Sequence, residues 1–142
     1  MFSVSDIHPD LIQAYMETEF RVQDEKPFIL QVGKVSSDLL EAHKRYRVEC
    51  SAFLTACNPF SQEMTYEANG ERQKALAKEL ASRSLEFVAG IGQHPSNKWP
   101  CEPSYLVFGL TLEAAKSLGS RLEQNAIVWS GSDGTPQLIP LR

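Results

Sequence analysis

Five side chains able to do chemistry fall within eleven positions of this chain: His94, Trp99, Cys101, Glu102 and Ser104. A histidine and a glutamate so close are a candidate general acid and base. Trp99 offers a ring for stacking, or a cover for the loop it sits in. Gly90-Ile91-Gly92 just before them is half of a phosphate-binding glycine loop. The third glycine is missing and Pro95 prevents a helix from starting where that motif needs one, which argues against a dinucleotide site. Cys57 and Cys101 read as inert thiols unless their surroundings depress the pKa. No metal set is legible, because the spacings of Cys50, Cys57 and Cys101 match no zinc pattern, and no cofactor is expected.

These residues need elements to hold them. Residues 8–16 read as a helix capped by His8, with Pro9 at its first position and Leu11, Ile12, Tyr15 and Met16 on one stripe. Period-two alternation over 18–22 and again over 28–32, around a polar turn at 24–27, predicts a hairpin. Ser36 or Ser37 caps a second helix running to Tyr46; His43 on its buried side reads as a boundary histidine. Residues 50–57 are apolar on both faces, as in a strand covered from both sides. A helix over 67–83, a strand over 85–91, a strand over 105–110, a helix after Thr111 and a strand over 126–129 follow. The last strand, 135–141, holds Pro136 and Pro140 and belongs at an edge.

The expected fold is therefore α/β, with α+β as the alternative. It is one domain spanning residues 1–142, with a mixed central sheet of six to seven strands and about four helices. A chain of 142 residues suits that, and at this size roughly 70% of the unfolded surface is buried. If the strands joined by helices run the same way, Asn58, the loop from Gly92, Glu102, Ser104, Gln124 and Asn125 all meet at one end of the sheet. Asn69, Arg72 and Gln73 extend the core stripe of the 67–83 helix toward that same end. The expected ligand-binding set is thus Asn58, Asn69, Arg72, Gln73, Trp99, Glu102, Ser104, Gln124 and Asn125, with His94 and Glu102 as catalytic candidates.

Three readings follow. The first is a pocket for a small anionic or nucleotide-like ligand, the anion held by Arg72 and the helix start. The second is a module that recognises protein or nucleic acid through the loop 93–101. The third is a purely structural polar cluster, with Gln124 and Asn125 satisfying backbone and Arg72 paired to Glu102. The net charge of −4 argues against non-specific nucleic-acid binding. No apolar run approaches the roughly 20 residues of a membrane span, and the start of the chain is unlike a secretory signal. An odd count of three cysteines, none in a C-x-x-C pair, favours reduced thiols in a cytoplasm. Whether it is an enzyme, and its oligomeric state, are not legible.

Taken together, several stretches resemble the bacterial family catalogued as domain of unknown function 3293. They are Phe53-Leu54-Thr55-Ala56-Cys57-Asn58-Pro59 with Ser61; Asn69-Gly70-Glu71-Arg72-Gln73; Gly90 and Gly92; Trp99-Pro100-Cys101-Glu102-Pro103-Ser104; Phe108-Gly109-Leu110; and Gln124-Asn125-Ala126-Ile127-Val128-Trp129. The resemblance runs from about Ala14 to Leu138. Where this chain has Cys57 the family often has an aromatic residue, which weakens a nucleophilic role for that thiol. The resemblance implies membership and no particular activity.

Overall fold

The computed structural model describes residues 7–96 and 102–142. Among them the chain runs α1 (Pro9–Glu17), β1 (Glu19–Val22), β2 (Phe28–Leu30), α2 (Ser37–Tyr46), β3 (Ser51–Leu54), a short 3₁₀ turn (Pro59–Ser61), α3 (Tyr66–Ser82), β4 (Phe87–Gln93), β5 (Glu102–Phe108), α4 (Leu112–Arg121), β6 (Ala126–Ser130) and β7 (Gln137–Pro140). Each α-helix starts on a side chain that accepts from its first turn: His8 from Asp10, Ser36 from Leu39, Thr65 from Ala68 and Thr111 from Ala114. Such a cap is worth about 1 kcal/mol and fixes where the helix begins. Among the described residues no helix is long and apolar enough to cross a membrane.

The strands form one seven-stranded sheet in the order β2-β1-β4-β5-β3-β6-β7. The α/β class holds, but the sheet is not mixed: all six neighbouring pairs are antiparallel. The reason lies in the crossovers. Helix α3 carries the chain from β3 to β4, two places away, and β5 fills the gap running the other way. Helix α4 carries it from β5 to β6, and there β3 fills the gap. Strands joined by a helix therefore do run in the same direction without being hydrogen-bonded to each other. The end of β3, the end of β4, the start of β5 and the start of β6 consequently share one rim, as expected. The edge position of β7 is also as expected from its prolines.

Alternation along each strand sends side chains to two faces. Phe20, Val22, Phe28, Leu30, Phe53, Leu106, Phe108 and Val128 share the first face with Leu39 and Ala42 of α2, and Tyr15 of α1 packs against them. Ala52, Leu54, Val107 and Ile127 share the second with Leu76 and Leu80 of α3 and Ala115 and Leu118 of α4. Each fully buried leucine contributes roughly 2 kcal/mol, and a sheet sandwiched between helices buries both faces. That is why 50–57 reads as apolar throughout. On the first face His43 of α2 is buried, 2.8 Å from the hydroxyl of Ser51. Burial lowers its pKa, in keeping with a neutral structural imidazole.

Candidate functional site

Toward the shared rim the first face runs out of bulk. Along β5 its inward residues pass from Phe108 and Leu106 to Ser104 and Glu102. On β4 they pass from Val88 to Gly90 and Gly92, and on β6 from Val128 to Ala126. The two glycines differ in cause. A Cβ at Gly90 would stand 2.6 Å from the Phe53 ring and 2.8 Å from the Arg21 carbonyl, so tight packing requires glycine there. A Cβ at Gly92 would meet nothing closer than 3.7 Å, so its missing side chain leaves open room. Helix α1 lies over this thinned end and a cleft of about 140 Å³ remains beneath it.

Leu11, Ala14 and Tyr15 of α1, with Phe20 and Phe53, give the cleft apolar walls. Its polar lining comes from Thr18, Thr55, Asn58, Ser61, Glu63, His94, Glu102, Ser104 and Gln124. Asn58 is the hub. It sits in the left-handed region at φ 48°, a conformation asparagine tolerates. Its Nδ2 donates to Glu102 Oε2 at 2.9 Å, and its Oδ1 accepts from Met64 N at 3.0 Å and from Asn69 Nδ2 at 2.8 Å. Its own N–H donates to Asn69 Oδ1 at 2.9 Å. Among the described residues Asn58 is the one donor to the Glu102 carboxyl. Burial pushes the Glu102 pKa up, and the Asn58 bond pulls it part of the way back.

Most of the remaining polar groups of the cleft have partners within the protein, many of them outside the cleft. Burial raises the pKa of the Tyr15 hydroxyl, and the Ser61 hydroxyl offsets part of that rise. Ser61 in turn accepts from Asn125 Nδ2 at 2.8 Å, and Asn125 Oδ1 accepts from Arg142 at 3.0 Å. Thr55 donates to the Pro103 carbonyl at 2.6 Å, and Ser104 to the Glu102 carbonyl at 3.0 Å. His94 Nδ1 accepts from Ser96 N at 3.2 Å, which leaves the proton on Nε2 to donate to Glu17 at 2.9 Å. That bond ties the end of β4 to the end of α1 and lowers the Glu17 pKa.

Five of the expected site residues line the cleft: Asn58, His94, Glu102, Ser104 and Gln124. Asn69, Arg72, Gln73 and Asn125 do not. The expected Arg72–Glu102 ion pair is not formed. Arg72 Nε donates to the Ala56 carbonyl at 2.6 Å and its Nη2 to the Leu122 carbonyl at 2.7 Å, with Glu123 at 3.9 Å. The reason is the sheet. Helix α3 packs on the second face while Glu102 belongs to the first, and residues 55–58 pass between them. Gln73 holds that segment too, accepting from Ala56 N at 2.9 Å, and Gln124 Nε2 donates to the Cys57 carbonyl at 3.1 Å. Cys57 is buried and its thiol pKa is raised by that burial, which speaks against a nucleophile. Trp99 and Cys101, and with them most of the loop 93–101, lie outside the described residues.

Sequence reasoning missed Tyr15, Thr18, Thr55, Ser61 and Glu63 as cleft residues. Two of them carried a signal. Thr55 shares parity with Phe53 at the end of β3, and Tyr15 lies on the apolar stripe of α1. Ser61 and Glu63 had none, because the irregular turn after Asn58 alone brings them over the rim.

The molecule is thus a three-layer α/β protein with a small-molecule-sized cleft at one end of its sheet. The family model described as a protein of unknown function (DUF3293) matches residues 54–127, which is 74 of the 142 residues. The chain belongs to that family. No curated protein and no solved structure matches it.

Proposed function

We propose that this protein binds a small, nucleobase-sized ligand in the cleft between α1 and the rim of the sheet. One observation carries the reading: a void of about 140 Å³ with aromatic walls, into which a carboxyl faces with one protein donor among the described residues. Pockets of this kind, apolar with a few placed polar groups, are the usual small-molecule sites. Of the two chemistries expected, nucleotide-like and anionic, the described lining favours the base-like one. It contains no lysine or arginine, and Arg72 is bound to two carbonyls elsewhere. Cys50 and Cys57 are free thiols, which supports a reducing compartment such as the cytoplasm. No catalytic step is assigned to Glu102 or His94.

The test is a screen of nucleobases, nucleosides and other small metabolites by thermal shift, on wild type and on Gly92→Val, which adds bulk where the cleft is open. Hits on the wild type that weaken at least tenfold in the variant are expected. A wild type that binds nothing, or hits indifferent to the added bulk, would sink the reading.

For Asn69, Arg72, Gln73 and Asn125 a second reading has its own support. Their bonds go to backbone or to neighbouring side chains, and they serve to hold the rim together.

A further inference from the structure

The carboxyl of Glu102 is incompletely satisfied. Ionised, it has acceptor sites on both oxygens. Asn58 Nδ2 fills one on Oε2, and no other described residue donates. Several neighbouring polar groups are spent elsewhere. The Ser104 and Thr55 hydroxyls donate to main-chain carbonyls, and His94 on the lining donates to Glu17. A half-buried carboxylate with no counter-charge among the described residues is costly, and the cost is removed by a partner bringing donors. The rest of the lining restricts the body of that partner. The cleft is close in size to the ~150 Å³ apolar cavity that accepts benzene, and Tyr15, Phe20 and Phe53 offer ring faces and edges.

We infer that the cleft selects a one-ring aromatic or heteroaromatic ligand carrying a nitrogen donor, an amidine or a ring amino group, which it holds against Glu102. This rests on the small-ligand reading above and narrows it. The ring lies among Tyr15, Phe20 and Phe53. Its N–H groups meet the open acceptor sites of Glu102, opposite the Asn58 amide. A ligand carboxylate at the same place would meet like charge.

Three probes of one size separate the claims: benzamidine, toluene and benzoate, each titrated into wild type and Glu102→Gln at neutral pH, with binding read by protein-observed NMR. The expected result is that benzamidine binds wild type at least tenfold more tightly than toluene or benzoate, and loses that advantage in Glu102→Gln while toluene is unchanged. Toluene equal to benzamidine on wild type, or benzoate tighter than both, overturns the donor inference and leaves the cleft as a binding site. No shift from any probe on wild type overturns both. The wild-type series needs no variant to fold. Contacts from the benzamidine ring protons to Tyr15 or Phe53 place the probe, and their absence also counts against the proposal.

Discussion

The two sides of the sheet's rim treat polar groups in opposite ways. On the α3 side, Arg72, Asn69 and Gln73 grip the strand exit at residues 56–58 and the carbonyl of Leu122. Arg72 Nε, Arg72 Nη2 and Asn69 Nδ2 each donate to an acceptor 2.6–2.8 Å away, while Gln73 Nε2 is buried without a partner. On the α1 side the same rim is hollow, and Glu102 faces the hollow with one bond among the described residues. The lesson is that polar residues converging on one rim need not share a role. A group whose bonds close within the protein is spent on the fold, since breaking them leaves buried groups unpaired. A group left part-satisfied beside a void is available to a ligand.

Asn58 belongs to both sides, so it offers the largest break. Asn58→Ala removes three side-chain bonds, each worth about 1 kcal/mol, and places alanine in the left-handed region at a cost of about 1–2 kcal/mol. A loss of about 4 kcal/mol in urea unfolding is expected, together with loss of ligand hits. A loss below about 1 kcal/mol would show that the two sides are not joined through this residue.

Arg72→Ala sharpens the division. Two charge-assisted bonds to carbonyls disappear, and about 3 kcal/mol of stability should go with them. Ligand affinity, measured where the variant remains folded, should stay within twofold of wild type. An affinity that falls with the arginine would move it into the cleft and erase the contrast.

The smallest effect concerns Glu102 in the empty protein. Its pKa is raised by burial, so the fold favours the protonated acid. That contribution is fully present below the ordinary glutamate value near 4.5 and is lost as pH rises through the elevated folded value. Glu102→Gln keeps an acceptor for Asn58 without the charge. The variant should melt above wild type at neutral pH, with the gap closing as pH falls across that window. A gap that is constant with pH, or reversed, would mean the carboxylate already has a partner, and the contrast between the two sides would weaken.

Much of this was legible beforehand. Ser36, Thr111 and the period changes after Met16 set the elements, because caps and alternation are local. The meeting of Asn58, Glu102, Ser104 and Gln124 at one rim followed from two helix crossovers. Strand order did not, because nothing local says that β5 enters between β3 and β4, or β3 between β5 and β6. The Arg72–Glu102 pair was misjudged for a related reason: chain direction says which end of a sheet a residue reaches, whereas the face depends on where each helix packs.

What the sequence alone determined, then, is the elements, their caps, the apolar stripes and the end of the sheet to which the polar residues go, since spacing of a few residues encodes each. The tertiary structure decided which side of that end is filled and which is hollow. That outcome depends on side chains from β1, β3, β4, β5, β6 and α1 stacking across one face, where the taper from Phe108 to Ser104 and the absent side chain of Gly92 leave a gap that no single segment contains.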